Sequence, residues 1–497
     1  MITENRTVAV VHDASARTYP RPAPFHPHEN YPEHPFEDLA PAANPVYGGI
    51  RRLFHLLGYD RERYGTPEWN PLGTFIRPGM TVLLKPNMVR DFHDLGADVA
   101  CESLVTDGSV LRAVVDYVHI ALGGRGRILI ADSPHSDCRW ERLLDRLGWT
   151  SLRDYYAARA GFTLEAYDLR PEYVVKHDGV LVDRIALPGD PRGYVAVDLG
   201  EHSCFEGAEG RRLRGAEYDL KETETHHRPG VHEYPICRTV LEADVLINLP
   251  KLKSHKKAGL TLSLKNLIGI NGNKNWLPHH SEGVPAAGGD QFDSSSLRNR
   301  LEHAALGAFK EHFPKLGPLR RVVARPVKAA GRAAFGDTNR GRVRSGNWWG
   351  NDTIWRTCLD LMRANLYADR DGRLRSTPQR AYLSLVDGIV GGEGNGPLAP
   401  RDRPAGLLVA GENPAAVDAV CARLVGFDIE KIPIVRRAFE PHAYPIAAFA
   451  PEEIVCAGSP SRYSGPFETI PSDFPFEPHF GWIGHIELER AAEAHRP

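Results

Sequence analysis

Six short runs of apolar, β-branched residues, each breaking off into polar side chains, constrain this chain more than any other feature. They are VAVVHD (8–13), TVLLKPN (81–87), RILIADSP (127–134), DVLINLPK (244–251), YLSLVDGIV (382–390) and GLLVAGEN (406–413). Nearly uniform apolarity over so short a stretch marks a strand buried on both faces, and helical patterns between such runs imply parallel crossover units. The expected fold class is α/β, with a mostly parallel sheet flanked by helices. Helix punctuation agrees. Asp107 can cap a segment running to about Ala121, with Gly123 and Gly124 beyond it; Asn413 and Pro414 form an N-cap and first-turn pair, with Gly426 where the C′ residue should lie. Asp418 borders the apolar stripe of Val417, Val420, Cys421 and Leu424, so it is expected to face inward.

Two stretches break this rhythm. Residues 171–204 alternate like antiparallel hairpins and read as a β-rich insertion. Residues 271–380 hold Gly and Pro loops, a basic amphipathic part (KLGPLRRVVARPVKAAGRAA, 315–334) and a helix-like segment near 352–367. A solvated face explains the basic part better than a membrane or nucleic-acid contact. The expected organisation is a first part of the α/β core (1–150), the β-rich insertion (151–240), a core strand with a lysine motif (241–270), the long loop and helical insertion (271–380), a second part of the core (381–457) and a wrapping tail (458–497).

Composition excludes several partners. With 42% apolar and 25% charged residues and a formal net charge of −2, no global field recruits nucleic acid or an anionic membrane. The start of the chain lacks a basic stretch leading into a long apolar one, and no apolar run approaches the roughly 18 residues that cross a bilayer, so a cytoplasmic protein without a membrane span is expected. Seven widely spaced cysteines with no C-x-x-C argue against a disulfide framework and against a local zinc or iron–sulfur cluster. A homo-oligomer is allowed.

In open parallel sheets, ligands bind beyond the carboxyl ends of the strands. Here those ends read His12 and Asp13, Lys85 and Asn87, Asp132 and Ser133, Asn248 and Lys251, Asp387, and Glu412 and Asn413, so one convergent polar mouth would account for all six. The lysines sharpen this. Of 61 lysines and arginines only 13 are lysine, yet six of those (251, 253, 256, 257, 265, 274) fall within residues 251–274. An ammonium is a compact point charge whose pKa moves readily on desolvation, which suits a pocket for a phosphate or carboxylate oxygen. Lys256 and Lys257 fit a solvated loop equally well. Lys253 and His255 share parity in an extended chain, and Lys265 and Asn266 end the apolar run GLTLSL, so together they could offer one anion two ammoniums, an imidazole and an amide. His255 is the candidate general acid or base.

The segment VDGIVGGEGNGP (386–397) lacks the G-K-[ST] ending of a phosphate-binding P-loop, but its glycines would let backbone N–H groups of Gly394, Asn395 and Gly396 approach an anion. Asp387 and Glu393, with Asp418, supply oxygen ligands suited to Mg²⁺ or another divalent cation. His279, His280, Asp290 and Asp293 match no compact metal template, and Trp348 and Trp349 could stack on a ring or simply pack the insertion.

KPNMV (85–89), INLPKLKSHKKAGLTLSLKNLIG (247–269) and DGIVGGEGNGP with NPAAVDAVCARLVGFD (387–428), in this order and spacing, resemble the domain of unknown function 362 family. The resemblance implies no defined chemistry. Some relatives carry ferredoxin-like cysteine clusters, which this chain lacks, so an iron–sulfur cluster is not expected. The expectation is an enzyme for a small phosphorylated or carboxylated molecule, by group transfer, ligation or proton abstraction. Lys253, His255 and Lys265 would be catalytic; Lys85, Asn87, Asn248, Lys251, Asn266 and the glycine segment would bind substrate. The alternatives are a non-catalytic binding protein for an anionic metabolite and a redox accessory protein.

Overall fold

The computed structural model describes residues 2–489 apart from 97–98, 100, 178–179, 209, 217–219, 313–319 and 337–340. Each apolar run is a strand. The first part of the chain alternates β1 (Thr7–His12), α1 (Pro45–Leu56), β2 (Thr81–Pro86), α2 (Gly108–Leu122), β3 (Arg127–Asp132), α3 (Trp140–Arg146), α4 (Trp149–Arg159) and β4 (Glu165–Asp168). Asp107 caps α2 by accepting from Ser109 N, and Gly123, at φ 56°, closes it in the left-handed conformation that glycine adopts without strain. An excursion follows. β5 (Glu172–His177) and β6 (Val180–Ala186) form an antiparallel hairpin; then come β7 (Tyr194–Asp198), β8 (Leu213–Gly215), α5 (Leu220–His226), β9 (His227–Arg228), β10 (Val231–Cys237) and α6 (Arg238–Glu242). β10 pairs antiparallel with both β7 and β9.

The chain re-enters the core through β11 (Val245–Leu249), β12 (Lys251–His255), β13 (Gly259–Thr261) and α7 (Ser263–Asn266). β14 (Pro278–Ser281), α8 (Leu297–His312), α9 (Arg320–Phe335) and α10 (Ile354–Tyr367) make up the long insertion, and residues 315–319 of its basic part lie outside the described residues. β15 (Ala381–Asn395), β16 (Ala399–Gly411), α11 (Pro414–Leu424), α12 (Pro433–Arg436), β17 (Val455–Ser459) and β18 (Gly465–Pro466) complete it. No described helix is long and apolar enough to cross a membrane.

The main sheet runs β18-β17-β1-β16-β15-β11-β2-β3-β4, with β12 paired to β15 and β13 to β12. The neighbours β15, β11, β2, β3 and β4 are parallel. Strand pleating sends alternate residues to opposite faces. Val82 and Leu84, Ile128 and Ile130, and Val245 and Ile247 pack on α1 to α4, whereas Leu83, Leu129 and Leu246 pack on α6, α7, α10 and α11, giving two cores and three layers.

The expected convergence of all six strand ends fails at β16. β16 is antiparallel to both β15 and β1, so Glu412 and Asn413 lie at the opposite end of the sheet from the other polar strand ends. The reason is in the glycines. GIVGGEGN is not an anion-cradling loop: it continues β15 and turns back as a hairpin with β16. A Cβ at Gly388 would come 2.9 Å from Leu252 Cδ2, at Gly391 2.5 Å from Phe476, at Gly392 2.9 Å from Lys253 Cβ, and at Gly396 2.0 Å from Ser254 O. The glycines let the lysine strand β12 and the tail residue Phe476 lie against β15.

Candidate functional site

Pro250 has no N–H to donate, and the chain kinks there, so β11 stays between β15 and β2 while β12 continues along β15 past the end of β2. Lys251 lies opposite Asp387 and Lys253 opposite Gly392, with a register irregularity between them. That irregularity separates their fates. Lys251 Nζ bonds Asp387 Oδ2 at 2.9 Å and the Tyr19 hydroxyl; Tyr19 donates to Asp387 Oδ1 at 2.6 Å, and Asp107 N donates to Oδ2 at 3.0 Å. The network is buried and fully paired.

Lys253 instead opens onto a cavity of about 210 Å³ beyond the carboxyl ends of β2 and β3. Its walls carry Lys253, Lys256, Lys257, Lys265 and Lys274, the imidazoles of His135, His255 and His279, and Asn87, Asn266 and Thr261. The one acidic residue among the described lining residues, Asp132, is already engaged: Lys85 Nζ lies 2.8 Å from its Oδ1, and Met88 N donates to its Oδ2. Gly269 has to be glycine for this, since a Cβ would sit 1.8 Å from Asp132 Oδ1.

A directed chain of hydrogen bonds sets the polar floor. Lys253 Nζ donates to Asn87 Oδ1 (3.1 Å), Asn87 Nδ2 to Asn266 Oδ1 (3.0 Å), Asn266 Nδ2 to Asn248 Oδ1 (2.7 Å), and Asn248 Nδ2 to the Tyr382 hydroxyl (2.8 Å). Lys253 also donates to Leu104 O at 2.6 Å. Its acceptors are thus neutral. Burial, reinforced by the Lys251 and Lys265 charges, brings its pKa down to about 7, against opposing pulls from Cys101 and Asp132. Burial likewise brings Lys274, which donates to Ser133 O and Oγ, down to about 8, and lowers Lys85, Lys256 and Lys265.

Lys265 and Asn266 are presented by α7, whose first amides, Ser263 N and Leu264 N, donate to Asp418 at 2.8 and 3.0 Å. Burial raises the Asp418 carboxyl to about 7, its amide donors working the other way. Lys265 is only 9% exposed, and its ammonium makes no hydrogen bond or ion pair with any described residue. The Thr261 hydroxyl is also buried without a partner among the described residues. His255 Nδ1 accepts from Lys257 N and Ala258 N, both at 3.1 Å, so the ring proton sits on Nε2. Burial and the surrounding lysines push this imidazole well below its ordinary pKa, making it a neutral donor.

The structure therefore gathers Lys253, His255, Lys265, Asn87 and Asn266 in one wall, with Lys85 beside Asp132 and Asn248 holding Asn266. Lys251 is excluded. So are Gly394, Asn395 and Gly396, which sit in the hairpin: Gly394 N donates to Glu477 O and Gly396 N to Gly394 O, and the cavity is reached only by the following Pro397 and Leu398. The three carboxylates do not meet. Asp387 binds Lys251, Glu393 binds Arg401 at 2.8 Å and Glu477 N, and Asp418 holds α7. Among the described residues no group of three or more His, Cys, Asp or Glu could hold a metal ion. His279 joins the wall, whereas Asp290 is taken by Ser281 N, Asp352 N and Thr353 Oγ1. Trp348 donates to Asp290 O, and Trp349 stacks on His485 at 4.4 Å, so both indoles pack the insertion. His135 and Thr261 were not singled out from sequence; His135 lies three residues past the end of β3, where a strand-end search extended by one turn would have met it.

Residues 188–423 match the family model described as Domain of unknown function (DUF362). This part of the chain belongs to the DUF362 family. The DUF362 match takes in the lysine strand, α7, the glycine-rich hairpin and most of α11, but begins after β2 and β3, which with the loops that follow them supply Lys85, Asn87, Asp132 and His135 to the site. A thylakoid-associated protein of Synechocystis sp. is 24% identical over 201 residues, which is 40% of this chain and 37% of that protein. The chain thus spans little more than a third of that relative. A crystal structure of a Thermotoga maritima protein is 12% identical, with 76% of this chain and 57% of that chain covered, at a TM-score of 0.26, too slight a likeness to carry an argument.

Proposed function

We propose that the protein is an enzyme for a small phosphorylated or carboxylated molecule bound in the lysine-lined cavity. One observation carries the reading: Lys265, nine-tenths buried, keeps an ammonium against the cavity with no counter-charge among the described residues. Burying an unpaired charge costs several kcal/mol, and an apolar side chain of the same length would avoid that cost. An anionic ligand offsets it. Lys256, Lys265 and Lys274 would hold the anion, the Thr261 hydroxyl and the His255 Nε2–H would add directed donors, and Lys253, poised near neutrality, would exchange a proton with it.

Calorimetric titration of the full chain with inorganic phosphate and with malonate tests the reading. Binding of either anion by the wild type, and its loss in Lys265→Met, is the expected result. Equal affinity in both proteins would remove the site.

A further inference from the structure

Three imidazoles line the cavity, and their partners give them different protonation patterns. His255 is a donor through Nε2, since two backbone N–H groups occupy its Nδ1. His279 Nδ1 lies 2.7 Å from Leu277 O, so it donates there, and Lys257 and Lys265 oppose any positive charge on the ring. His135 differs from both. Its Nδ1 lies 2.6 Å from Asp137 Oδ1. Asp137 is not the donor: its other oxygen is 2.5 Å from Arg90 and 3.6 Å from Lys176, and against the opposing effect of burial the His135 hydrogen bond, with Lys176 and Arg90, holds the carboxyl well below the usual range. The proton of a neutral His135 is therefore on Nδ1, and Nε2, which makes no hydrogen bond with a described residue, is left as the acceptor of a ring that lines the cavity.

We propose that His135 is the general base of the site, oriented by Asp137 as a positioning residue, and that it removes a proton from a C–H or O–H group of the bound anion. The inference rests on the anion-site reading and adds the direction of proton transfer. The substrate's bond to hydrogen breaks, its electron pair stays on the substrate, and the proton forms a new N–H bond at Nε2. The resulting imidazolium faces the Asp137 carboxylate, and the new negative charge meets the His255 Nε2–H and the lysines. Only His135 has a carboxylate behind it to stabilise that imidazolium. His279 has a neutral carbonyl.

The charges facing His135 are Asp137 on its own loop, Arg90 after β2 and Lys176 on β5. The test is long-range ¹⁵N NMR of the full chain labelled in its histidine rings, with His135→Gln identifying the signal. Expected are an Nδ1–H tautomer for His135, a shift of its resonances on adding inorganic phosphate, and an Asp137→Asn titration lower by about 1 pH unit or more. His255 should hold the Nε2–H tautomer and stay neutral. An Nε2–H tautomer at His135, or indifference to phosphate while calorimetry shows Lys265-dependent phosphate binding, overturns the base assignment alone. Absence of phosphate binding to the wild type overturns the site and the base together.

Discussion

Lys251 and Lys253 are two residues apart on one strand, equally buried, yet they are different devices. Lys251 is matched by Asp387, Tyr19 and the cap of α2, so its charge is cancelled inside the fold. Among the described residues Lys253 bonds only an amide oxygen and a carbonyl, and the Lys265 ammonium beyond it has no hydrogen bond or ion pair. Burial alone does not mark a lysine as functional; on the proposed reading burial without a counter-charge does, because the missing partner would have to come from solution.

The comparison breaks first on Lys251. Lys251→Met strands Asp387 as an uncompensated buried carboxylate, so urea denaturation should show a loss of about 3–5 kcal/mol, and adding Asp387→Leu should return much of it. Phosphate affinity in the surviving native protein should be unchanged. Were Lys251→Met to lose anion binding at native stability, the two networks would be one.

Lys265→Met should do the reverse. Removing an unpaired buried charge leaves stability unchanged or higher, while a lost charge-assisted contact of about 1.5–3 kcal/mol lowers phosphate affinity by about tenfold to a hundredfold in calorimetry. A destabilised Lys265→Met with intact binding would mean that its ammonium has a structural partner.

The sequence showed part of this difference. Apolar runs identified the core strands, because burial on both faces leaves no polar residue in them, but such a run carries no direction, so the reversal of β16 was invisible. Strand-end position and parity brought Lys253, His255, Lys265, Asn87 and Asn266 together on paper. Strand-end position and the lysine cluster also placed Lys251 at the same site as Lys253, and the register irregularity on β15 parts them. Asp387, Glu393 and Asp418 looked like a ligand set because their separate partners, Lys251, Arg401 and the α7 amides, come from distant segments or across a hairpin. The glycines misled for a related reason: conformational freedom and the absence of a Cβ leave the same letter, and here the close approach of β12 and Phe476 is what uses it. Gly391→Ala tests this. Its Cβ would press on Phe476, so a loss of about 1–3 kcal/mol in chemical denaturation is expected, with the glycine N–H groups untouched. A neutral substitution would return the segment to the role of a loop.

The finest test is pH. Lys253 titrates near 7 in the native state and near 10.4 in an unfolded chain. Below about 7 both states hold the proton, and the cost of the buried charge is fully present. Between about 7 and 10.4 the unfolded chain keeps a proton that the native protein has released, so stability rises with pH, by up to about 1.4 kcal/mol per unit. Lys274, near 8, adds a term of the same sign. Asp418 does not interfere in this window. Its carboxyl, near 7 when folded and about 3.9 when unfolded, makes stability fall with rising pH only until about 7. Urea midpoints at pH 7.0, 7.5 and 8.0, below the range in which the thiols that burial raises would ionise in the unfolded chain and oppose the trend, should therefore climb for the wild type and climb less for Lys253→Met. Saturating phosphate, by favouring the charged ammonium, should flatten the wild-type curve toward that of the variant. A wild-type slope that survives in Lys253→Met would place the uncancelled charge elsewhere and leave Lys253 no different in kind from Lys251.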